Sequence, residues 1–213
     1  AGEKLEARVE AYRRALLRKM GLEQDEVQHF KRPYERPFPL VEQATTTIVY
    51  CGLTSTHEEI VLGVLERLGY RAQRLPIPDY EALAIGKEFC NRAQCNPTYY
   101  TVGNLLKFLF DLRRHGLSDE EIENSYALFW GADCGPCRMG MYEADLRKAL
   151  KGAGFPHFRV VNLDIAHGLD IDQESVGMRM PPIAFLHLAK ANMAADAVND
   201  LACQIRPYEL NPG

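Results

Sequence analysis

The sequence predicts an α/β domain with a mainly parallel sheet, preceded by an N-terminal helix and a proline-rich connector. Three observations predict it. From Thr45 onward, short β-branched or aromatic runs alternate with longer segments of helical period. Capping residues and closing glycines punctuate those longer segments. Ahead of them, "KRPYERPFPL" (Lys31 to Leu40) places three prolines within seven positions, which suits an extended connector rather than an element.

Each element follows from its own pattern. Leu5, Val9, Tyr12, Leu16 and Met20 recur every three or four residues across 3–20, one apolar stripe on a helix that Gly21 can close. The connector then ends a first region, 1–44, and a cysteine-bearing domain occupies 45–213. "TTTIVYCGL" (Thr45 to Leu53) is a buried strand. A helix follows over 56–69, with Ile60, Val64 and Leu68 on one face and Thr56 and Glu59 as a capping box. "YRAQRLPI" is a second strand. A helix opens at Asn96-Pro97 and closes at Gly116. "SDEEIENS" is a short capped helix and "YALFWG" a third strand. The segment 135–154 is a helix with Met141, Leu146 and Leu150 inward, and "FRVVNLD" is a fourth strand. A last helix starts near Pro181 and carries Leu186, Met193, Ala197, Leu201 and Ile205 on one stripe. Strands alternating with helices imply a sheet covered on both faces, with chemistry at the carboxyl ends of the strands.

Composition narrows the function. The 213 residues are 46% hydrophobic and 25% charged, ordinary for a globular chain. A formal net charge of -4 gives no electrostatic reason for a nucleic-acid partner. No apolar run approaches the roughly 20 residues that span a bilayer, so no membrane partner is expected. The charged start, Ala1 to Leu5, is no signal peptide. A chain that begins without Met and stops just after a structured run is expected to be a piece of a longer polypeptide. Six cysteines without an export signal point to the cytoplasm, where paired cysteines more often bind metal or react than form structural disulfides.

The cysteines fall where a parallel sheet concentrates chemistry. Cys134 and Cys137, in "ADCGPCRMG", follow the third strand and open a helix. Cys90 and Cys95 lie in the loop entering the helix at Asn96, and Cys51 ends the first strand. Helix N-termini lower thiol pKa values and donate hydrogen bonds to bound sulfide. A Cys-x-x-Cys pair completed by a cysteine from a neighbouring loop fits an iron–sulfur cluster or zinc. Cys51 and Cys203 read instead as buried packing cysteines. His57 reads as a capping or surface residue, and His115, His157, His167 and His187 show no ligand spacing. Tyr99, Tyr100 and Tyr142 read as packing residues. Asp133 and Arg138 can tune the charge of the pair.

Cys134-Gly135-Pro136-Cys137 also resembles the thioredoxin active site, with Met180-Pro181-Pro182 in the place of that family's cis-proline. That reading makes Cys134 and Cys137 a thiol–disulfide couple. Three features oppose it. Asp133 stands where that family has an aromatic residue. Helical period continues past Pro182 where a β-hairpin is needed. Residues 45–125 stay unexplained.

A second resemblance covers roughly Thr45 to Gly213. "TTTIVYCGLTSTHEEIVLGVLERLGYRAQRLPIPD", "GKEFCNRAQCNPTYYTVGNLLKFL", "ADCGPCRMGMYEADLRKALKGAGF" and "NDLACQIRPYELNPG" resemble, in family order, the 2-hydroxyacyl-CoA dehydratase activator-related proteins. These are large bacterial proteins in which an ATP-dependent activase region is joined to dehydratase-like regions. The resemblance implies a Rossmann-like three-layer fold and an iron–sulfur cluster, of the 4Fe-4S type or larger. It carries Cys95, Cys134 and Cys137 over as metal ligands, with Cys90 beside them as a further cofactor-binding candidate. Three cysteines would leave one iron open to a substrate oxygen; four would close the site. The implied role is ATP-driven, low-potential electron transfer, which allows a 2-hydroxyacyl-CoA to lose water through a ketyl radical. The implied partners are the activase domain or subunit and an acyl-CoA substrate. No Gly-x-x-x-x-Gly-Lys-Ser/Thr loop occurs, so an ATP site belongs to another part of the polypeptide or to a partner. No catalytic residue is assigned. The piece is expected to be part of an enzyme system, and a structural zinc or scaffold module is the remaining alternative.

Overall fold

The computed structural model describes residues 42–130, 137–162 and 182–211, together with Phe38 and single positions between 9 and 20. The chain divides into two compact units, Ala1–Tyr34 and Glu35–Gly213. In the first, positions 9, 12, 13, 16, 17 and 19 are helical. The Met20 amide donates to the Leu16 carbonyl at 3.0 Å. Val9, Tyr12, Leu16 and Met20 of the expected stripe are exposed.

The second unit opens at Glu35, ahead of Thr45, and the residues before the first strand are tied to it. Phe38 packs on Tyr70 and lies under the Arg159 guanidinium. Gln43 Nε2 donates to the Leu68 carbonyl at 2.6 Å. Glu42 Oε2 accepts from Arg159 Nη1 at 2.5 Å.

Four short strands form one parallel sheet: β1 (Thr47–Tyr50), β2 (Arg71–Arg74), β3 (Tyr126–Trp130) and β4 (Arg159–Asn162), in the order β2-β1-β3-β4. Val49 stands opposite Gln73 and Leu128, and Leu128 opposite Val160. Side chains alternate between faces, as the two-residue repeat of a strand requires. Val49, Leu128, Trp130 and Val160 join one buried cluster; Ile48, Tyr50, Ala127, Phe129 and Val161 join another. β2 is polar and half-exposed, which suits an edge.

Helices cover both faces, giving the α/β three-layer, Rossmann-like arrangement that the alternation predicts. α1 (Ser55–Arg67) and α6 (Pro182–Ile205) pack on the second cluster. α2 (Tyr80–Phe89), α3 (Asn96–Arg114), α4 (Asp119–Ser125) and α5 (Tyr142–Gly152) build the first. Among the described residues no helix is long and apolar enough to cross a membrane.

Two local expectations are corrected, for α1 and α5, and two helices, α2 and α6, add what the pattern leaves open. The cap of α1 is Thr54, not Thr56. Its backbone is extended and its side chain accepts from the His57 amide, while Glu59 pairs with Arg74 at 2.9 Å. α2 is a full helix where none was expected, capped by Asp79. α5 begins only at Tyr142 after a 3-10 turn, Arg138–Met141, and this leaves Met141 exposed while Leu146 and Leu150 are buried. In α6 Ala184, Ala191 and Ala195 are buried and Phe185 and Leu188 pack partly on the second cluster, so the apolar stripe of Leu186, Met193, Leu201 and Ile205 is the side that faces solvent.

α2 meets α3 through glycine. A Cβ on Gly86 would stand 1.9 Å from the Tyr99 carbonyl oxygen, and one on Gly103 would stand 1.7 Å from that of Ala82. Only glycine allows this approach. It fixes the two helices that carry Cys90 and Cys95.

Candidate functional site

The first cysteine loop links α2 to α3. Cys90 caps the end of α2 and Cys95 caps the start of α3. Between them the loop turns through Ala93 at φ 62°, a left-handed conformation that an L-residue adopts at a cost of about 1 kcal/mol or more. Surrounding bonds hold that turn. The Tyr99 hydroxyl accepts from the Gln94 amide at 3.0 Å and donates to the Asn91 carbonyl at 3.2 Å. Arg138 Nη1 donates to the Ala93 carbonyl at 3.3 Å. Arg138 follows Cys137, so this bond joins the two cysteine-bearing segments.

Cys95 has the environment of a reactive thiol. Its Sγ lies 3.1 Å from Thr98 Oγ1 and 2.9 Å from Tyr142 Oη. Those hydroxyls, Thr98 first and then Tyr142, hold its pKa below the ordinary thiol value. Tyr142 moves the other way. Burial and the neighbouring Cys95 raise its hydroxyl, and the charge of Cys137 raises it further. Cys137 is exposed and caps the 3-10 turn. Cys134 lies outside the described residues, as does Asp133.

Cys90 differs from Cys95. It is buried in the first core cluster, and burial, with the charge of Asp145 adding and that of Lys148 opposing, pushes its thiol up to about 12. Asn91 Nδ2 donates to Asp145 Oδ1 at 2.8 Å, and the Lys148 amine donates to Asn91 Oδ1. Cys51 is likewise buried, its thiol pushed up to about 12 by burial and by Glu58. The packing expectation holds for Cys51. It fails for Cys203, which is exposed on the outer side of α6.

Trp130 ends β3 at this rim and stacks on Tyr142, with centroids 5.8 Å apart and planes at 24°. Its Nε1 is buried and has no hydrogen-bond partner among the described residues. Beside it, Glu58 accepts from the Gly52 and Leu53 amides at 3.0 and 3.3 Å. Burial nevertheless raises the Glu58 carboxyl. His57 links elements: Nδ1 lies 2.7 Å from Thr54 Oγ1 and Nε2 lies 2.8 Å from Asp196 Oδ1 on α6.

Thr98, Tyr142, Trp130 and Glu58 are the site residues the sequence reading missed. Thr98 carries a local signal, since it stands three residues after the cap Cys95, where a side chain can return to the cap. Tyr142 carries none; its partner is 47 positions away.

Among the described residues no group of three or more His, Cys, Asp or Glu gathers to hold a metal ion. The donor chemistry still fits a soft metal or a cluster. Cys95 is biased toward thiolate, the ligating form, and its loop is bonded at Ala93 by Arg138, the residue after Cys137. The Trp130 Nε1, unpartnered among the described residues, is a donor suited to an anionic acceptor such as sulfide or thiolate. Comparison with family models, with curated proteins and with solved structures returns no match.

Proposed function

We propose that this chain is an iron–sulfur-binding domain of a 2-hydroxyacyl-CoA dehydratase/activator-type system, acting in ATP-driven, low-potential electron transfer. The observation that carries the reading is the Cys95 thiol: it stands at the start of α3, within hydrogen-bond distance of two hydroxyls, on a loop that Arg138, next to Cys137, bonds at Ala93. Cys95, Cys137 and Cys134 would hold the cluster, which would supply the electron. The chain's own residues then have separate tasks. Thr98 and Tyr142 stabilise the thiolate form of Cys95, Trp130 packs behind Tyr142, and Arg138 braces the loop through Ala93. ATP and acyl-CoA would be handled by an activase partner and a substrate-bearing surface respectively. The helical run of α6 disfavours the thioredoxin alternative, which needs a β-hairpin after Pro182.

The test is iron and acid-labile sulfide per chain after anaerobic reconstitution, with the electron paramagnetic resonance signal of the reduced protein. Expected are a bound cluster in the wild type and its loss in Cys95→Ala and Cys137→Ala. One zinc per chain and no iron would favour the structural zinc reading. Wild-type cluster content in both variants would remove the proposal.

A further inference from the structure

His57 joins two elements through both of its ring nitrogens. Nδ1 lies 2.7 Å from Thr54 Oγ1 at the start of α1, and Nε2 lies 2.8 Å from Asp196 Oδ1 on α6. A carboxylate only accepts, so Nε2 carries the proton that it donates to Asp196. Nδ1 then keeps its lone pair, and the Thr54 hydroxyl donates to it. This is the proton order of a hydroxyl nucleophile, its general base and the carboxylate that orients the base. Helix capping accounts for only part of it. A cap at Thr54 needs the hydroxyl to accept from the His57 amide, as it does at 3.4 Å. It does not need the imidazole to take up the hydroxyl proton, nor to reach a carboxylate 139 positions away.

The placement suits acyl chemistry. Thr54 stands in the loop from β1 to α1, at the carboxyl end of the parallel sheet. It is exposed, while the His57 side chain is only 13% exposed. A nucleophile open to substrate thus rests on a base largely sheltered from water. The first amides of a helix have no intrahelical partner. Those of Ser55 and Thr56 can therefore donate to an oxyanion forming at an acyl carbon beside Thr54. The exposed Leu53 next to Thr54 offers apolar contact to a short acyl group.

We propose that Thr54 and His57, oriented by Asp196, hydrolyse small, accessible carboxylic esters. Thr54 Oγ1 attacks the carbonyl carbon, and its proton passes to His57 Nδ1. The ester C–O bond breaks, and the leaving alcohol takes that proton. Water then attacks the acyl-Thr54 ester and gives a proton to His57 Nδ1. The carboxylic acid leaves as Thr54 regains its proton. Asp196 touches no reacting atom and is a positioning residue for the His57 ring. The reaction does not depend on the cluster.

The test is p-nitrophenyl acetate hydrolysis by the full chain, with accessible cysteines alkylated beforehand so that thiols do not react. Expected are turnover above that of free imidazole at equal concentration and an acetyl group on Thr54 by peptide mass spectrometry. Thr54→Asn keeps a capping side chain without a nucleophile, and should lose the adduct and bring the rate to background. Thr54→Ser should keep both. His57→Gln should lower the rate roughly 100-fold or more. Asp196→Ala should lower kcat with KM held, and Asp196→Glu should recover part of the loss, a split that a merely structural tie between α1 and α6 would not give. Circular dichroism should be unchanged in all of them. Hydrolysis no faster than free imidazole overturns the proposal. So does full activity in Thr54→Asn, an acetyl group found only on other residues, or a kcat indifferent to Asp196→Ala.

Discussion

The Tyr142 hydroxyl lies 2.9 Å from Cys95 Sγ and binds it across 47 positions of sequence. Its ring lies against Trp130, so the hydroxyl reaches the thiol from a braced position. Tyr142→Phe removes that bond and keeps the stack. The Cys95 pKa should then move back up toward the ordinary thiol value, since one of the two hydroxyls lowering it is gone. In metal-free protein, the pH midpoint of Cys95 alkylation by iodoacetamide should rise. Mass spectrometry at Cys95 reads it. An unchanged midpoint would mean that Thr98 alone sets the thiol.

Glu58 gives a pH dependence of stability. Burial raises its folded pKa above the unfolded value, against the lowering effect of the Leu53 and Gly52 amides and Arg74. A carboxyl raised in this way contributes stability fully below its unfolded pKa of about 4.3. That contribution is lost as pH rises through the folded value. Glu58→Gln keeps an acceptor for the two amides and cannot ionise. Thermal melts should therefore favour the variant increasingly as pH rises from about 4 to about 7. A constant gap between the two proteins over that range would refute the assignment.

Gly103→Ala tests the helix contact behind the cysteine loop. The new Cβ would stand 1.7 Å from the Ala82 carbonyl oxygen, and both partners are helix backbone, so α2 must shift. Overpacking of this kind costs about 3 kcal/mol. Chemical denaturation should show it, together with faster proteolysis of the loop between Cys90 and Cys95. Gly63→Ala is the control: nothing lies within 4 Å of the added carbon, so it should be neutral or slightly stabilising.

That same contact explains what the sequence could and could not disclose. The strands were legible because Ile48, Val49, Leu128 and Val160 are branched apolar residues buried on both faces of a parallel sheet. α2 was hidden because its buried positions are Ala82 and Gly86, while Tyr80 is exposed. α6 is legible as a helix, but the direction its stripe faces is not: Ala184, Ala191 and Ala195 are buried, Phe185 and Leu188 pack partly, and Leu186, Met193, Leu201 and Ile205 point out. Where helices approach closely, small residues make the contact and large-residue periodicity marks the other face. In the site, Cys95 could be placed at a helix start from Asn96-Pro97. Its pairing with Tyr142 needed the tertiary fold, because no spacing rule relates residues from separate crossovers.

Cys90 separates an open site from a closed one. Its sulfur is packed in the first core cluster, and its thiol is pushed up to about 12 by burial and by Asp145. A ligand to iron must be a thiolate facing the metal. To serve, Cys90 would have to leave the core and break the bonds that hold the loop at Asn91, Ala93 and Gln94. Cys95 needs no such change. Cys90→Ala should therefore keep the iron and sulfide content of the wild type after anaerobic reconstitution, while costing about 1 kcal/mol in denaturation from the small cavity it leaves. Cys95→Ala should show the reverse: lost iron with little change in apo-protein stability. Loss of iron in Cys90→Ala, with the apo fold intact by circular dichroism, would mean that the loop turns Cys90 outward on cluster binding and that four cysteines close the site.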